Sequence, residues 1–311
     1  MELALDSGQR VLDETVERRS HRLDLAGMAS LGAGLFGVLW ASTRLATSAL
    51  DAPVVGYLTG GVLMIFVFAW VELRQEEPML QLSLFGIPIM APSLLASLFQ
   101  GLANFSVLFL VIMYLQGPRG LSPIHASLLL VPGYVVGGVV GPFAGRLADR
   151  AGPVIPATLG LFVQVAALFF YAHLSLGTSL WLVTLASVVN GIGASCFFPA
   201  NSSAVMKASP PAVFGISSGM LRTFANVGMV FSFSLAILIA SRSISRHLAF
   251  AIFVGSRPLT GHLAQAFTSG LHAAFYTSMG LMTLAGLLSA TRGARALRPS
   301  GPRSPGDRAL G

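Results

Sequence analysis

The stretch that decides the fold is Gly141-Pro142-Phe143-Ala144-Gly145-Arg146-Leu147-Ala148-Asp149-Arg150-Ala151-Gly152-Pro153. On its N-terminal side, no Asp, Glu, Lys or Arg occurs from Gly120 to Gly145. On its C-terminal side, the next such residue is Lys207. About 20 apolar residues cross the roughly 30 Å hydrocarbon core of a bilayer as a helix, and both flanks are long enough. An unpaired charge at mid-bilayer is costly, so Arg146, Asp149 and Arg150 belong at a water interface. The stretch reads as a short surface hinge between two membrane-spanning helices.

The whole chain repeats this pattern. Of its residues 54% are hydrophobic and 10% charged, and the mean hydropathy is +0.76. A soluble domain carries about 25% charged residues, so the class is an all-α polytopic membrane protein. The net charge of +7 suits a nucleic-acid partner in principle. The charges gather in loops and tails, however, which is the distribution a bilayer imposes, and no nucleic-acid partner is expected. Cys196 is the single cysteine, which excludes an internal disulfide and a thiolate metal cluster. The first 22 residues are strongly polar, so no cleavable signal peptide is expected.

Eight spans follow from the uncharged runs: about 25–43, 53–71, 91–115, 125–145, 154–173, 179–201, 214–240 and 270–290. Residues 1–23 read as a solvated arm. Residues 74–90 read as a loop whose apolar part, broken by Pro78, Gly86 and Pro88, lies along the membrane surface. Residues 241–269 form the long loop on the opposite side, and 291–311 a disordered basic tail rich in Pro, Gly, Ser and Arg. With eight spans both termini share a side. That side holds the arginines of arm and tail together with Arg74, Arg146, Arg150 and Lys207. The other side holds Arg44, Arg119, Arg242, Arg246 and Arg257. The positive-inside bias places both termini in the cytoplasm and the Asp149 hinge inside.

Inside the spans, small residues such as Gly137-Gly138 and Gly191-Ile192-Gly193-Ala194 allow close helix approach. Pro132 and Pro142 should kink the fourth span. The polar residues Gln100, Asn104, Gln164, Asn190, Asn201 and Asn226 face protein or a cavity rather than lipid. Either they form a cavity wall or they hydrogen-bond helix to helix. Arg222 lies about 12 Å into the seventh span at 1.5 Å per residue. It faces the cavity with Asn226, or its stem snorkels to the surface. The spans hold no deep Asp or Glu, no H-E-x-x-H, no C-x-x-C and no phosphate loop. An enzyme reading therefore has no residues to rest on, and no metal or cofactor is expected.

The hinge G-R-L-A-D-R-A-G at 145–152 resembles the loop motif of the major facilitator superfamily. Further motifs resemble its 14-helix drug:proton antiporter branch. These are Tyr114-Leu115-Gln116, Gly120-Leu121-Ser122-Pro123, Leu130-Val131-Pro132, Pro199-Ala200-Asn201 and the run from Gly215 to Gly228 around Arg222. Glu72-Leu73-Arg74 followed by Pro78-Met79-Leu80 is similar to the loop after that branch's two extra central helices. The resemblance implies two extra helices at 24–73 and the second six-helix bundle at 91–290, with the first bundle outside this sequence. It implies export of small amphipathic molecules against protons across the plasma membrane. Gly145, Arg146, Asp149, Arg150 and Gly152 would form a conformational gate on the cytoplasmic side. Gln100, Asn104, Asn190, Asn201, Arg222 and Asn226 are the candidate cavity residues. Pro153-Val154-Ile155-Pro156 departs from the basic residues that usually follow the motif. The alternative is a non-transporting membrane protein, or a half that needs a partner chain, and the proton-coupling acid is expected in the missing bundle.

Overall fold

The structure, a computed structural model, describes residues 24–47, 51–74, 82–240 and 261–296. The arm, most of the loop after Glu72, the loop 241–260 and the tail beyond 296 lie outside the described residues. The described elements are helical. They are α1 (Leu25–Thr47), α2 (Ala52–Glu72), α3 (Met90–Gln116), the short α4 (Pro123–Leu128), α5 (Val131–Ala151), α6 (Val154–Ala172), α7 (Leu180–Ala208), α8 (Phe214–Ala240) and α9 (His262–Ala296). Short 3₁₀ turns at Leu82–Gly86 and Pro211–Val213 lead into α3 and α8.

Among the described residues, six segments are long and apolar enough to cross a membrane. α1 and α8 occupy the other two expected positions. Helix starts follow local chemistry. Asp51 accepts a hydrogen bond from the Val54 amide at 3.0 Å, with Pro53 in the first turn of α2. Ser122 caps α4, and Ser179 caps α7. These side chains satisfy amides that a helix start leaves without partners.

The packing has a centre and a fringe. α3 lies along α8 and α9, α6 along α7 and α9, and α5 against α7. α1 and α2 pair with each other and touch the rest mainly through α8 and through Phe68. The main cluster gathers Leu110, Tyr114, Leu161, Leu168, Phe197, Phe267 and Phe275. A second gathers Phe68, Leu84, Met90, Leu94, Val205 and Met220, where α2, the first 3₁₀ turn, α3, α7 and α8 converge. Apolar burial drives nothing between helices already in lipid, so close packing and hydrogen bonds specify these contacts.

Three differences from the sequence expectation matter. First, the surface hinge is narrower than 145–152. α5 continues through Gly145, Arg146, Asp149 and Arg150 to Ala151, and the chain breaks only at Gly152-Pro153. Gly152 has φ +84°, a conformation that only glycine adopts without strain. Leu147 and Ala148 favour helix, and Gly145 alone costs only about 1 kcal/mol, so helix propagates to the next strong breaker. Asp149 thus lies in the last turn of α5. Second, the fourth span is two helices, with Leu129 and Leu130 forming a turn before Pro132. Third, α9 is 35 residues long and carries Arg292 inside it, where the sequence places the start of the tail.

At the end of the bundle opposite Arg292, the α6–α7 turn is held by three elements. The Leu174 carbonyl lies 2.6 Å from Nε2 of His272 on α9. The Ser175 carbonyl accepts from the Tyr114 hydroxyl at 2.7 Å. The Leu176 carbonyl accepts from Arg119. Three consecutive carbonyls of one turn are thereby tied to α9, α3 and the α3–α4 turn.

Candidate functional site

A cavity of about 300 Å³ lies between α3, α5 and α7. Its wall from α3 carries Asn104, Phe105 and Leu108; α5 gives Gly133, Tyr134 and Gly137; α7 gives Ser187, Asn190, Gly191, Ala194 and Phe198. Each set recurs at three- and four-residue spacing, one face of a helix. The α5 and α7 faces meet at Gly133 and Gly191. A Cβ on Gly191 would lie 2.9 Å from the Gly133 carbonyl carbon, so glycine there sets how close the walls stand.

The polar content of the cavity is neutral. Asn190 Nδ2 donates to Asn104 Oδ1 at 3.1 Å, bridging α7 and α3. Ser187 donates to the Leu130 carbonyl at 3.0 Å, and Ser195 to the Gly137 carbonyl at 2.7 Å. The Asn190 side-chain oxygen is buried without a hydrogen-bond partner. One carboxamide bonded to another still presents a free acceptor and a free donor. Apolar walls with a few convergent polar groups are the usual design of a small-molecule site.

The other candidate residues are placed elsewhere. Gln100 is fully buried and donates to Gln164 Oε1 at 3.1 Å, joining α3 to α6 away from the cavity. Asn201 is also buried and belongs to a second cluster. Its Nδ2 donates to Ser97 Oγ at 2.8 Å and to the Ser93 carbonyl at 3.2 Å. Its oxygen accepts from Arg292. Arg222 and Asn226 are exposed on one face of α8. Beside them runs a groove of about 360 Å³ between α1 and α8, lined by Met28, Leu31, Gly32, Leu35, Leu39, Thr223, Asn226, Val227, Val230 and Phe231.

Arg292 is the residue the sequence does not single out. It is 0% exposed. Nε donates to the Ser289 carbonyl at 3.1 Å, and Nη1 to Ser93 Oγ at 2.9 Å and to Asn201 Oδ1. Nη2 donates to Ser289 Oγ, which is itself 2.7 Å from Thr158 Oγ1. The guanidinium thus ties together α3, α6, α7 and α9 through neutral oxygens. The available signal was the serine at i−3, Ser289, which turns one side chain back onto its own helix.

On the surface near the Gly152 break, Asp149 Oδ1 lies 3.6 Å from Lys207 Nζ, with the side chains 72% and 52% exposed. A carboxylate in a helix's last turn opposes the helix dipole, and the lysine offsets this. The exposed pair contributes less than about 1 kcal/mol to stability. The Arg146 guanidinium sits 5.8 Å from the centre of the Phe143 ring. Arg150 is exposed. Among the described residues no group of three His, Cys, Asp or Glu side chains is placed to hold a metal.

Comparison with known proteins adds the relationship. The family described as Major Facilitator Superfamily matches residues 10–233. The lincomycin resistance protein LmrB of Listeria monocytogenes is 27% identical over 241 residues, 77% of this chain and 51% of that protein. The tetracenomycin C resistance and export protein of Streptomyces glaucescens is 27% identical over 245 residues, 77% and 45% of the two chains. The multidrug resistance protein Stp of Mycobacterium tuberculosis is 27% identical over 256 residues, 76% and 45% of the two. The chain spans about half the length of these relatives.

Proposed function

The chain belongs to the major facilitator superfamily, and from that premise we propose that it forms one wall of the solute path in an exporter of small amphipathic molecules. The observation that carries the reading is the neutral, largely apolar cavity with the Asn104–Asn190 pair across it. Relatives named for drug resistance and export support it. In this fold the solute site lies near mid-membrane between two repeated halves, and one half rocks on the other. The chain supplies two extra helices, α1 and α2, and six spans from α3 to α9. A second six-helix bundle completes the path. Arg146, Asp149 and Arg150 act as an inner-side latch, with Asp149 exchanging Lys207 for a partner on the moving half.

Export is driven by protons, and the titrating acid is supplied by the second bundle. Among the described residues the one buried carboxylate is Glu72, 3% exposed at the last residue of α2, and it does not line the cavity. The protein resides in the plasma membrane with both termini in the cytoplasm.

The test is efflux of Nile red from vesicles under a pH gradient. The chain alone should move no dye, and the chain with a complementary six-helix bundle should export it. In that assembly Asn104→Ala and Asn190→Ala should each lower efflux about fivefold or more, from the roughly 1–3 kcal/mol of a lost buried hydrogen bond. Asp149→Asn should slow efflux without lowering membrane insertion. Gradient-driven export by the isolated chain, or unchanged efflux in both asparagine variants, would overturn the reading.

A further inference from the structure

We propose that the groove between α1 and α8 binds one anionic phospholipid from the cytoplasmic leaflet, with Arg222 holding its phosphate and an acyl chain lying along Gly32. The inference is independent of the solute cavity. It begins from an unusual charge: Arg222 is exposed and forms no hydrogen bond or ion pair among the described residues. Charged side chains within membrane spans generally face a partner, a cavity or water. Thr223, next to Arg222 in sequence, and Asn226, one turn further along the same helix, line a groove of about 360 Å³.

The dimensions of the groove suit one leaflet. On α1 it runs from Met28 to Leu39, and on α8 from Thr223 to Phe231. At 1.5 Å per residue these are about 16 Å and 12 Å. Half of a hydrocarbon core of roughly 30 Å is about 15 Å. Its surface is apolar apart from Thr223 and Asn226, and both lie toward the Arg222 end. The opposite end carries Leu39 and Phe231. A polar mouth and an apolar trough of leaflet length match a lipid from headgroup to tail.

The depth also fits. α8 begins at Phe214, so Arg222 lies about 12 Å along its axis. A helical side chain leans toward the helix N-terminus, which carries the guanidinium back toward the headgroup layer. There its planar fork can take two oxygens of a phosphate. Gly32 leaves the trough open: nothing lies within 4 Å of where its Cβ would be. The lining residues of both helices recur at three- and four-residue spacing, so the groove runs lengthwise between two helix faces. Something of chain-like section fills the space between them.

The test uses the purified full chain in detergent, with lipid retention read by native mass spectrometry. The probes are phosphatidylglycerol and phosphatidylcholine with identical acyl chains, and inorganic phosphate. Phosphatidylglycerol should be retained at one copy per chain and preferred over phosphatidylcholine. Arg222→Gln should lower that preference about fivefold, the effect of one basic residue near a membrane surface. Gly32→Leu should expel both lipids by filling the trough, with an unchanged thermal midpoint in detergent. Equal retention of the two lipids, full preference in Arg222→Gln, or displacement by inorganic phosphate would overturn the proposal. So would retention unchanged in Gly32→Leu, which also decides the matter should Arg222→Gln not fold. A lipid-free dimer that Gly32→Leu dissociates would assign the groove to a second copy and overturn it equally.

Discussion

Arg292 shows how one side chain can hold several helices. A buried guanidinium is costly unless its N–H groups are met, and here four neutral oxygens receive them. Asn201 and Ser93 in turn depend on it, because the Asn201 oxygen is buried with the arginine as its donor. Arg292→Ala should therefore destabilise the protein by about 2–3 kcal/mol, since it strands buried acceptors. Arg292→Lys should recover only part, because an ammonium cannot reach two helices with a planar fork. Thermal midpoints of the purified variants in detergent check both, and an unchanged midpoint for Arg292→Ala would refute the anchoring role. The sequence hides this residue for a physical reason. A span is read as ending at its first charge, and only tertiary packing shows that α9 carries this charge inward. Asn201 was legible as a polar residue needing a partner, but its partner was not.

At the scale of elements, helix existence was legible and helix ends were not. Long uncharged runs announce α2, α3, α6 and α7 because the bilayer demands about 20 apolar residues. The α5 terminus escaped because Arg146 and Asp149 mark a water boundary, and helices continue past such boundaries until Gly152-Pro153 stops them. The cavity was half legible. Asn104 and Asn190 are recognisable as polar residues in spans, whereas their pairing depends on how closely α5, α7 and α3 approach. Gly133 and Gly191 set that approach. Gly191→Val should force α5 away from α7 and cost about 1–3 kcal/mol, the usual penalty of overpacking. It should also abolish solute binding in the completed assembly. Valine at Gly138, which has open space around it, should do neither. Equal effects at the two positions would remove the close approach as the cause.

For the whole molecule, charge placement carries the proposed orientation and the structure gives the points of attachment. Epitope tags at residues 5 and 305 should both react from the cytoplasmic side, and a tag at residue 250 from the other. Termini on opposite sides would break the eight-span topology. The attachments at His272 and Arg292 are 20 residue steps apart on one helix. That is about 30 Å at 1.5 Å per residue, the hydrocarbon thickness of an average bilayer. α9 therefore works as a ruler fastened at both ends. Most spans answer a thicker or thinner membrane by tilting, but this one is clasped to the Leu174 carbonyl at one end and to Asn201 and Ser93 at the other. In nanodiscs of graded acyl length the thermal midpoint should peak near 30 Å of hydrocarbon and fall on either side. Replacing His272 with alanine should flatten that peak, leaving a protein that no longer senses the thickness of its membrane.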